Sequence, residues 1–336
     1  MIIILNKGIH LLLHYITGKE KKEIERKSSV NAMKVLSLFD GISCGMVALE
    51  RVGIPVEEYV AYEIDEDAIK VSKYNYPQIE HKGDVFDATY TEGEFDLLIG
   101  GSPCTYWSIA GARKNGSRET TCSGFGFYLF MQYVRALREA KPKYFLYENN
   151  ESMSDAIKEE ISMLLQVQPV MINSADFSAQ KRKRYYWTNI PINKQLEKSG
   201  ALFSDIEYHG EHKISNFEKY KDTIRLSDDG LCISWDTSGK GNYSQQNRAR
   251  VPAQKWNTLP SSGNDKNNVY LGGTEYRRIH PIEAERLQTL PDNYTECIKS
   301  KVKRVEVCGN GWTVDVIAHI FAGLKERNGE KQNEVI

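Results

Sequence analysis

The chain has 336 residues, 40% of them hydrophobic and 26% charged, with a net charge of −1, enough for one large core with a smaller domain beside it. Its six cysteines, at 44, 104, 122, 232, 297 and 308, show neither metal-site pairing nor a dense disulfide framework, so a reduced intracellular compartment is the default. Near-neutrality does not exclude nucleic acid, because basic residues bunch at Lys181 to Arg184, at Arg248 and Arg250, at Arg277 and Arg278, and from Lys299 to Arg304. Taken singly, each bunch is as readily an ordinary solvated face.

Residues 1–32 differ from the rest of the chain, with apolar pieces at 1–5 and 11–13 and a charged run over 19–27. The apolar pieces are interrupted by Lys7, Gly8 and His10 and lack a small-residue cleavage site, which argues against a secretory signal or a membrane span. The segment reads as an appendix, as an upstream start codon would produce, and Met33 as the natural opening. From there, short β-like runs alternate with helical ones, the pattern of an α/β doubly wound sheet. The pattern predicts strands over 34–39, 59–63, 95–100 and 143–148, and further strands over 170–177 and 185–188. Helices are predicted over 66–74, 127–139 and 156–165, where apolar residues recur at three- and four-residue intervals.

After Pro191 the composition turns to Ser, Asn, Gly, Gln and Lys, with Trp235, Tyr243, Trp256 and Tyr270 interspersed. Residues 191–275 therefore read as a separate, loop-rich and partly β region, which could equally be a variable insertion. Helical periodicity returns over 282–290, after Pro281, and over 314–324.

The apolar run Leu97-Leu98-Ile99 breaks at Gly100-Gly101-Ser102-Pro103 and presents Cys104. Ligands of parallel sheets gather at the carboxyl ends of the strands, and Pro103 would put the thiol on a stiff turn there. Read alone, an inert buried thiol is the commoner outcome. The turn after the first strand, Phe39-Asp40-Gly41-Ile42-Ser43-Cys44-Gly45, resembles a ligand-cradling glycine loop without the full three-glycine spacing. Glu63 closes the second strand where a ribose-binding carboxylate belongs, roughly 20 residues beyond the loop, and Asp84 adds a polar group at another strand end. Together they favour an adenosine-bearing cofactor. Asp40 suits a cationic ligand without a pyrophosphate, the character of S-adenosylmethionine.

With Cys104 lying between that site and Glu148, the chain resembles the cytosine-5 DNA methyltransferases. Pro103-Cys104, Glu148-Asn149, Gln180-Lys181-Arg182-Lys183-Arg184, the segment 278–291 and Gly309-Asn310-Gly311-Trp312 follow that family's order. The stretches 174–187, 309–312 and 314–326 look like the branch that includes the animal de novo enzymes, and the loop-rich region like bacterial or phage members. One departure is Asn150 where the family usually has Val, which bears on the packing behind Glu148.

The resemblance implies a Rossmann-like S-adenosylmethionine-dependent methyltransferase sheet with a smaller loop-rich, partly β target-recognition domain. The catalytic and cofactor-binding domain would span 33–190, target recognition 191–275, and 276–328 would return to the catalytic domain. Cys104 would add as a thiolate to cytosine C6. Glu148 would relieve the ring at N3, kept protonated by burial, though a lone Glu is often a capping or surface acid. Arg182 and Arg184, alternating on a strand-like segment and so facing one way, would hold the cytosine O2 and support the thiolate side; a phosphate-binding or solvated pair is the plainer alternative. The cofactor would meet Phe39 to Gly45, Glu63, Ile64, Asp84, Val85, Ser102, Pro103, Asn310 and Trp312, with Trp312 nearly as well read as a core aromatic.

The target base must leave the duplex to be reached. Residues 105–126, with Gly111, Arg113, Lys114, Gly116 and Arg118, have the composition of a loop that closes over DNA, or of a plain connector. Ser108 matches a family position on the DNA backbone. Arg113, Lys240, Arg248, Arg250 and Lys255, the later ones interleaved with Tyr243 and Trp256, would contact DNA. The expected partner is double-stranded DNA, with a separately acting restriction endonuclease, a monomeric chain in preference to a dimer, no metal and no membrane. The expected product is S-adenosylhomocysteine, and the expected place the cytoplasm of a bacterium or a phage-infected host. A transfer-RNA cytosine methyltransferase shares the catalytic residues, but the RNA-acting branch typically follows Pro-Cys with Phe-Thr or Gln-Pro, not Thr105-Tyr106. A non-enzymatic cofactor-binding adaptor and a thiol hydrolase fit less well, the latter because Ala110 stands where a Cys-x5-Arg phosphate loop needs Arg.

Overall fold

In the computed structural model, the described residues are 32–108, 118–193, 198–241, 247–259 and 267–330. The appendix up to residue 31, together with Gly111, Arg113, Lys114, Gly116 and Tyr243, lies outside them. The amino-terminal half forms β1 (Met33–Leu38), α1 (Cys44–Arg51), β2 (Val56–Tyr62), α2 (Glu66–Asn75), β3 (Glu80–Gly83), β4 (Leu97–Gly100), α3 (Phe125–Ala140), β5 (Tyr144–Asn150), α4 (Asp155–Leu165), β6 (Val170–Asn173), β7 (Gln180–Lys181) and β8 (Lys183–Thr188). Seven of these strands make one sheet in the order β3-β2-β1-β4-β5-β8-β6. The expected α/β Rossmann-like sheet is present.

Strand β4 (Leu-Leu-Ile-Gly) and β5 (Tyr-Phe-Leu-Tyr-Glu-Asn-Asn) are buried at every position, as central strands covered on both faces must be. Alternation divides their side chains. Val35, Leu97, Ile99 and Leu146 enter one core with α1, while Leu36, Leu38, Leu98, Phe145 and Tyr147 enter the other with α3 and α4. Helices α2 and α4 begin with side-chain caps, Asp65 accepting from the amides of Asp67 and Ala68, and Ser154 from that of Ile157.

The register decides where function can sit. β1 and β4 run parallel with Leu38 opposite Gly100, and β4 and β5 run parallel with Gly100 opposite Tyr147. The chain therefore leaves β1 at Phe39, β4 at Gly101 and the middle of β5 at Glu148 along one edge. β8 runs antiparallel to β5, with Glu148 opposite Tyr186 and Asn150 opposite Arg184. An antiparallel strand starts where its parallel neighbours end, so Arg182 and Arg184 arrive at that same edge.

The predicted strand over 170–177 stops at Asn173, whose side chain accepts from the Ala175 amide and opens a short 3-10 turn. The basic segment also departs from expectation: β7 ends at Lys181 and β8 begins at Lys183, leaving Arg182 between two sheets rather than inside one strand.

The carboxyl-terminal half adds β9 (Ile214–Asn216), β10 (Arg225–Leu226), β11 (Cys232–Ser234), β12 (Arg248–Arg250), β13 (Trp256–Asn257), β14 (Asn268–Gly272) and β15 (Glu275–Arg278), followed by α5 (Pro281–Leu287), α6 (Lys301–Asn310) and α7 (Val314–Glu330). Six strands form a second sheet, β10-β11-β12-β14-β15-β9, around Phe217, Ile233, Trp235 and Ala249. Trp235 stacks on Phe217 with centroids 4.5 Å apart. β13 leaves that sheet and pairs with β7, placing Trp256 in the main core against Phe203 at 4.3 Å. Trp256 is 1% exposed. The expectation that it interleaves with basic residues to stack on DNA is therefore corrected, since an aromatic sealed in the core has no free face.

The helix predicted over 282–290 ends at Leu287, and Thr289 turns left-handed at φ 53°. Helix α6 was not expected; its basic residues read as a charged bunch, yet Val305, Val307 and Cys308 give it a buried face. Helix α7 approaches the main domain so closely that a Cβ on Gly323 would overlap the Pro191 carbonyl. Among the described residues, no helix is long and apolar enough to cross a membrane.

The start of α5 is held by buried charge. Glu283 accepts from both terminal nitrogens of Arg277, at 2.7 and 2.8 Å, and from the backbone amides of Tyr208 and His280. Neither side chain is more than 4% exposed. Glu283→Ala leaves Arg277 with Glu207 as its one carboxylate partner among the described residues, and removal of one partner of a buried pair costs about 3–5 kcal/mol; equilibrium urea unfolding should show a loss of that size.

Candidate active site

Cys104 begins a short 3-10 turn directly after Pro103, whose φ is −49°. Its carbonyl accepts from the amides of Trp107 and Ser108, at 3.1 and 2.9 Å, and from the Asn150 side chain at 3.4 Å. Trp107 is fully buried and anchors the turn. Asn149 donates to the Ser102 carbonyl at 3.0 Å and to the Tyr147 hydroxyl, which itself meets the Ser102 hydroxyl at 2.7 Å. The residue that departs from the family pattern, Asn150, thus braces the turn carrying the thiol. These contacts of Asn149, Asn150 and Tyr147 exist only once β4 and β5 are paired, so no local pattern in the sequence announces them.

Cys104 is the half-exposed thiol of this crevice. Burial pushes Cys44 up to about 12 and Cys308 well above its ordinary value, which makes both unreactive. Glu148 is 8% exposed. Its Oε1 lies 2.9 Å from Arg184 Nε, and its Oε2 accepts from Trp312 Nε1 at 3.0 Å. Two donors on different oxygens, one of them a guanidinium, hold the group in place.

Arg182 is 5% exposed. Its terminal nitrogens donate to the carbonyls of Gly309 and Gly311, at 3.2 and 3.1 Å, which ties it to the segment between α6 and α7. Burial first, then the like charge of Arg184, brings the Arg182 guanidinium down to about 10, while Glu148 and Cys104 oppose that shift. All four expected catalytic residues therefore share one neighbourhood.

The turn after β1 carries three left-handed residues in alternation, Phe39, Gly41 and Ser43, at φ 56°, 62° and 59°. Such geometry in non-glycine residues is strained and needs outside support. Asp40 supplies it, accepting from the hydroxyls of Ser37, Ser43 and Tyr59. The Asp40 carboxylate is thus committed to the turn, which corrects its expected role of facing a cationic ligand. Glu63 accepts from the amides of Gly41, Ile64 and Asp65, each at 2.8 Å. Burial pushes its carboxyl up, and those three amides hold it back. A carboxylate has about four acceptor sites, so one remains for a hydroxyl.

Of the residues expected at the cofactor, Phe39, Gly41, Glu63, Asp84 and Trp312 are half-buried, and Ile64, Pro103 and Asn310 are exposed, Ile64 by 69%. Ile42, Ser43, Cys44, Gly45, Val85 and Ser102 are buried; Ser102 in particular has its hydroxyl and carbonyl taken by Tyr147 and Asn149. Beside Asp84, Phe86 stacks on Tyr128 at 5.1 Å, with Phe125 and Tyr106 adjoining. This aromatic cluster was missed in the sequence, where its members sit on three separate segments.

Of the residues expected on DNA, Ser108 lies beside the turn of Cys104, Arg113 is outside the described residues, and Lys240 is exposed. Arg248 and Arg250 line a groove of about 350 Å³ with Ser227, Asp229, Cys232 and Ser234. Arg250 also reaches the Asn257 amide, oriented to accept, at 2.7 and 3.0 Å. Lys255 is different: its ammonium donates to the carbonyls of Ser178, Ser199 and Ala201, at 3.0, 3.0 and 2.9 Å. An ammonium has three donors, so its expected phosphate contact is corrected to a structural pin. Lys255→Met should lower the melting temperature and leave the salt dependence of DNA binding unchanged; a shallower salt slope in filter-binding titrations would contradict this.

Comparison with known proteins agrees with this geometry. The chain is 28% identical over 343 residues to the Type II methyltransferase M.FnuDI of Fusobacterium nucleatum, covering 89% of this chain and 96% of that one. It is 26% identical over 346 residues to the Type II methyltransferase M.NgoPII of Neisseria gonorrhoeae, covering 89% and 97%. Its fold resembles the crystal structure of the S. pombe Dnmt2 methyltransferase, with a TM-score of 0.59 at 15% identity over 88% of this chain and 99% of that one. The C-5 cytosine-specific DNA methylase family matches residues 33–326, and the chain belongs to it: it is an enzyme that methylates DNA at cytosine C5.

Proposed function

We propose that this enzyme transfers a methyl group from S-adenosylmethionine to C5 of a cytosine flipped out of a specific double-stranded DNA sequence, through a covalent bond between Cys104 and C6. The observation that carries the mechanism is the meeting of Cys104, Glu148, Arg182 and Arg184 at one sheet edge, from three separated stretches of chain. Addition of the Cys104 thiolate to C6 drives electron density toward N3 and C5. Glu148, once it has taken up a proton, delivers it at N3 and leaves C5 nucleophilic. After methylation, water takes the C5 proton, the electron pair of that bond expels Cys104 Sγ from C6 as the thiolate, and N3 returns its proton to Glu148, which restores the ring. Arg184 holds the acid, and Arg182 places a buried positive charge beside the thiol.

The crevice fits S-adenosylmethionine. A Cβ on Gly41 would meet nothing within 4 Å, so open space faces the turn. Glu63 retains an acceptor for a ribose hydroxyl, Asp84 stands nearby, and Ile64, Phe86 and Tyr128 offer exposed apolar surface for a flat ring. When bound, the cofactor supplies an electrophilic methyl on a sulfonium. The fit requires neither a pyrophosphate site nor a metal.

The second sheet, spanning 214–278, is the target-recognition domain in this reading, with Arg248 and Arg250 in its polar groove and Lys240 at its surface. Support for a restriction-modification role comes from the Type II relatives, with an orphan or phage role as the alternative; the enzyme then works as a monomer in a bacterial or phage-infected cytoplasm, with any cognate endonuclease acting separately.

DNA carrying 5-fluorocytosine should trap the protein covalently, because the C5 substituent cannot leave as a proton, and peptide mapping should place the bond on Cys104. Cys104→Ser should lose methyl transfer and keep cofactor binding; full turnover in that variant would rule the mechanism out. For recognition, Arg248→Ala and Arg250→Ala should each cost about 1–3 kcal/mol for the cognate site if they read a base edge. Bisulfite sequencing of host DNA should then show relaxed site preference, and an unchanged pattern in both variants would remove the groove from recognition.

A further inference from the structure

We propose that Trp312 is a positioning residue for the catalytic acid: its indole N–H fixes the Glu148 carboxyl group in the orientation from which it meets the base. The inference rests on the reading of Glu148 as the acid at N3. Arg184 takes Oε1 and Trp312 takes Oε2, at 2.9 and 3.0 Å. One donor alone leaves a carboxylate free to swing about its last bond; two donors on different oxygens fix its plane. This indole is half-buried, and its N–H is aimed at a carboxylate oxygen on another element.

The segment carrying the indole is itself held firmly. Arg182 grips the Gly309 and Gly311 carbonyls, and Gln288 Nε2 donates to the Cys308 carbonyl at 2.7 Å. Just beyond, Thr313 donates to Gln288 Oε1 at 2.8 Å and accepts from the Ser174 hydroxyl at 2.9 Å. Space for the contact depends on Gly101, where a Cβ would lie 3.0 Å from Glu148 Oε2 and 3.4 Å from Trp312 Nε1. The two arginines thus bracket one acid by different routes, Arg184 directly and Arg182 through Trp312. This connects the carboxyl-terminal segment, at the cofactor end of the crevice, to the step at the base.

Trp312→Phe keeps an aromatic ring and removes the donor. Loss of a hydrogen bond to a charged group predicts that kcat falls by about 10- to 100-fold, while equilibrium binding of S-adenosylhomocysteine and of DNA is retained. A double-mutant cycle identifies the route. In a Glu148→Ala background, adduct formation with 5-fluorocytosine DNA, followed over hours, should be no slower when Trp312→Phe is added than with the native tryptophan. The same rate factor in both backgrounds, or a loss confined to cofactor affinity with kcat intact, would overturn the proposal. Thr313→Val, which keeps the indole and loosens its segment, should show the same non-additive loss in smaller degree, so the cycle can be read even where Trp312→Phe folds poorly. Wild-type protein that forms no adduct at Cys104 rejects the reading of the site itself, and is measured first.

Discussion

The reversal of one strand organises this molecule. β1, β4 and β5 run parallel and deliver their following turns to a single edge, but they supply no cations there. β8 runs the other way, so its beginning lies where theirs end, and the basic segment before it arrives beside Glu148. A parallel strand in that position would have put Arg184 at the opposite edge. Buried carboxylate and guanidinium then satisfy one another where neither could remain alone at low cost.

The same edge shows how polar groups stabilise a shape that the backbone resists. Three left-handed residues within five positions make the turn after β1 unfavourable in isolation. Asp40 collects three hydroxyls around it, and Ser43 continues through Ser72 to His81. The carboxylate that looks like a ligand contact is instead the reason the turn exists. Glu63 closes the turn through Gly41 and keeps an acceptor to spare.

The smaller sheet is tied to the larger one by chain that belongs to neither. β13 pairs with β7 immediately before Arg182, Trp256 sits in the main core, and Lys255 pins three carbonyls across the junction. Asn257, next to Trp256, meets Arg250 in the polar groove. A continuous path of packing and hydrogen bonds therefore links that groove to the basic segment at the catalytic edge.

By itself the sequence determined the alternation of strands and helices and the Pro103-Cys104 turn, because apolar periodicity and residue chemistry are local properties. Helix α6 escaped notice because its charges masked a narrow buried face, and the strand predicted past Asn173 ended at a side-chain cap that pattern does not weigh. Only the tertiary structure decided which polar groups face the crevice. Asp40, Ser102, Arg182 and Lys255 have the chemistry of ligand contacts, yet each is committed to partners distant in sequence. Trp312 and Glu148, 164 positions apart, meet only after α7 has returned to the sheet. A side chain's donors and acceptors are written in its residue type; whether folding leaves them free depends on which segments come to lie beside it.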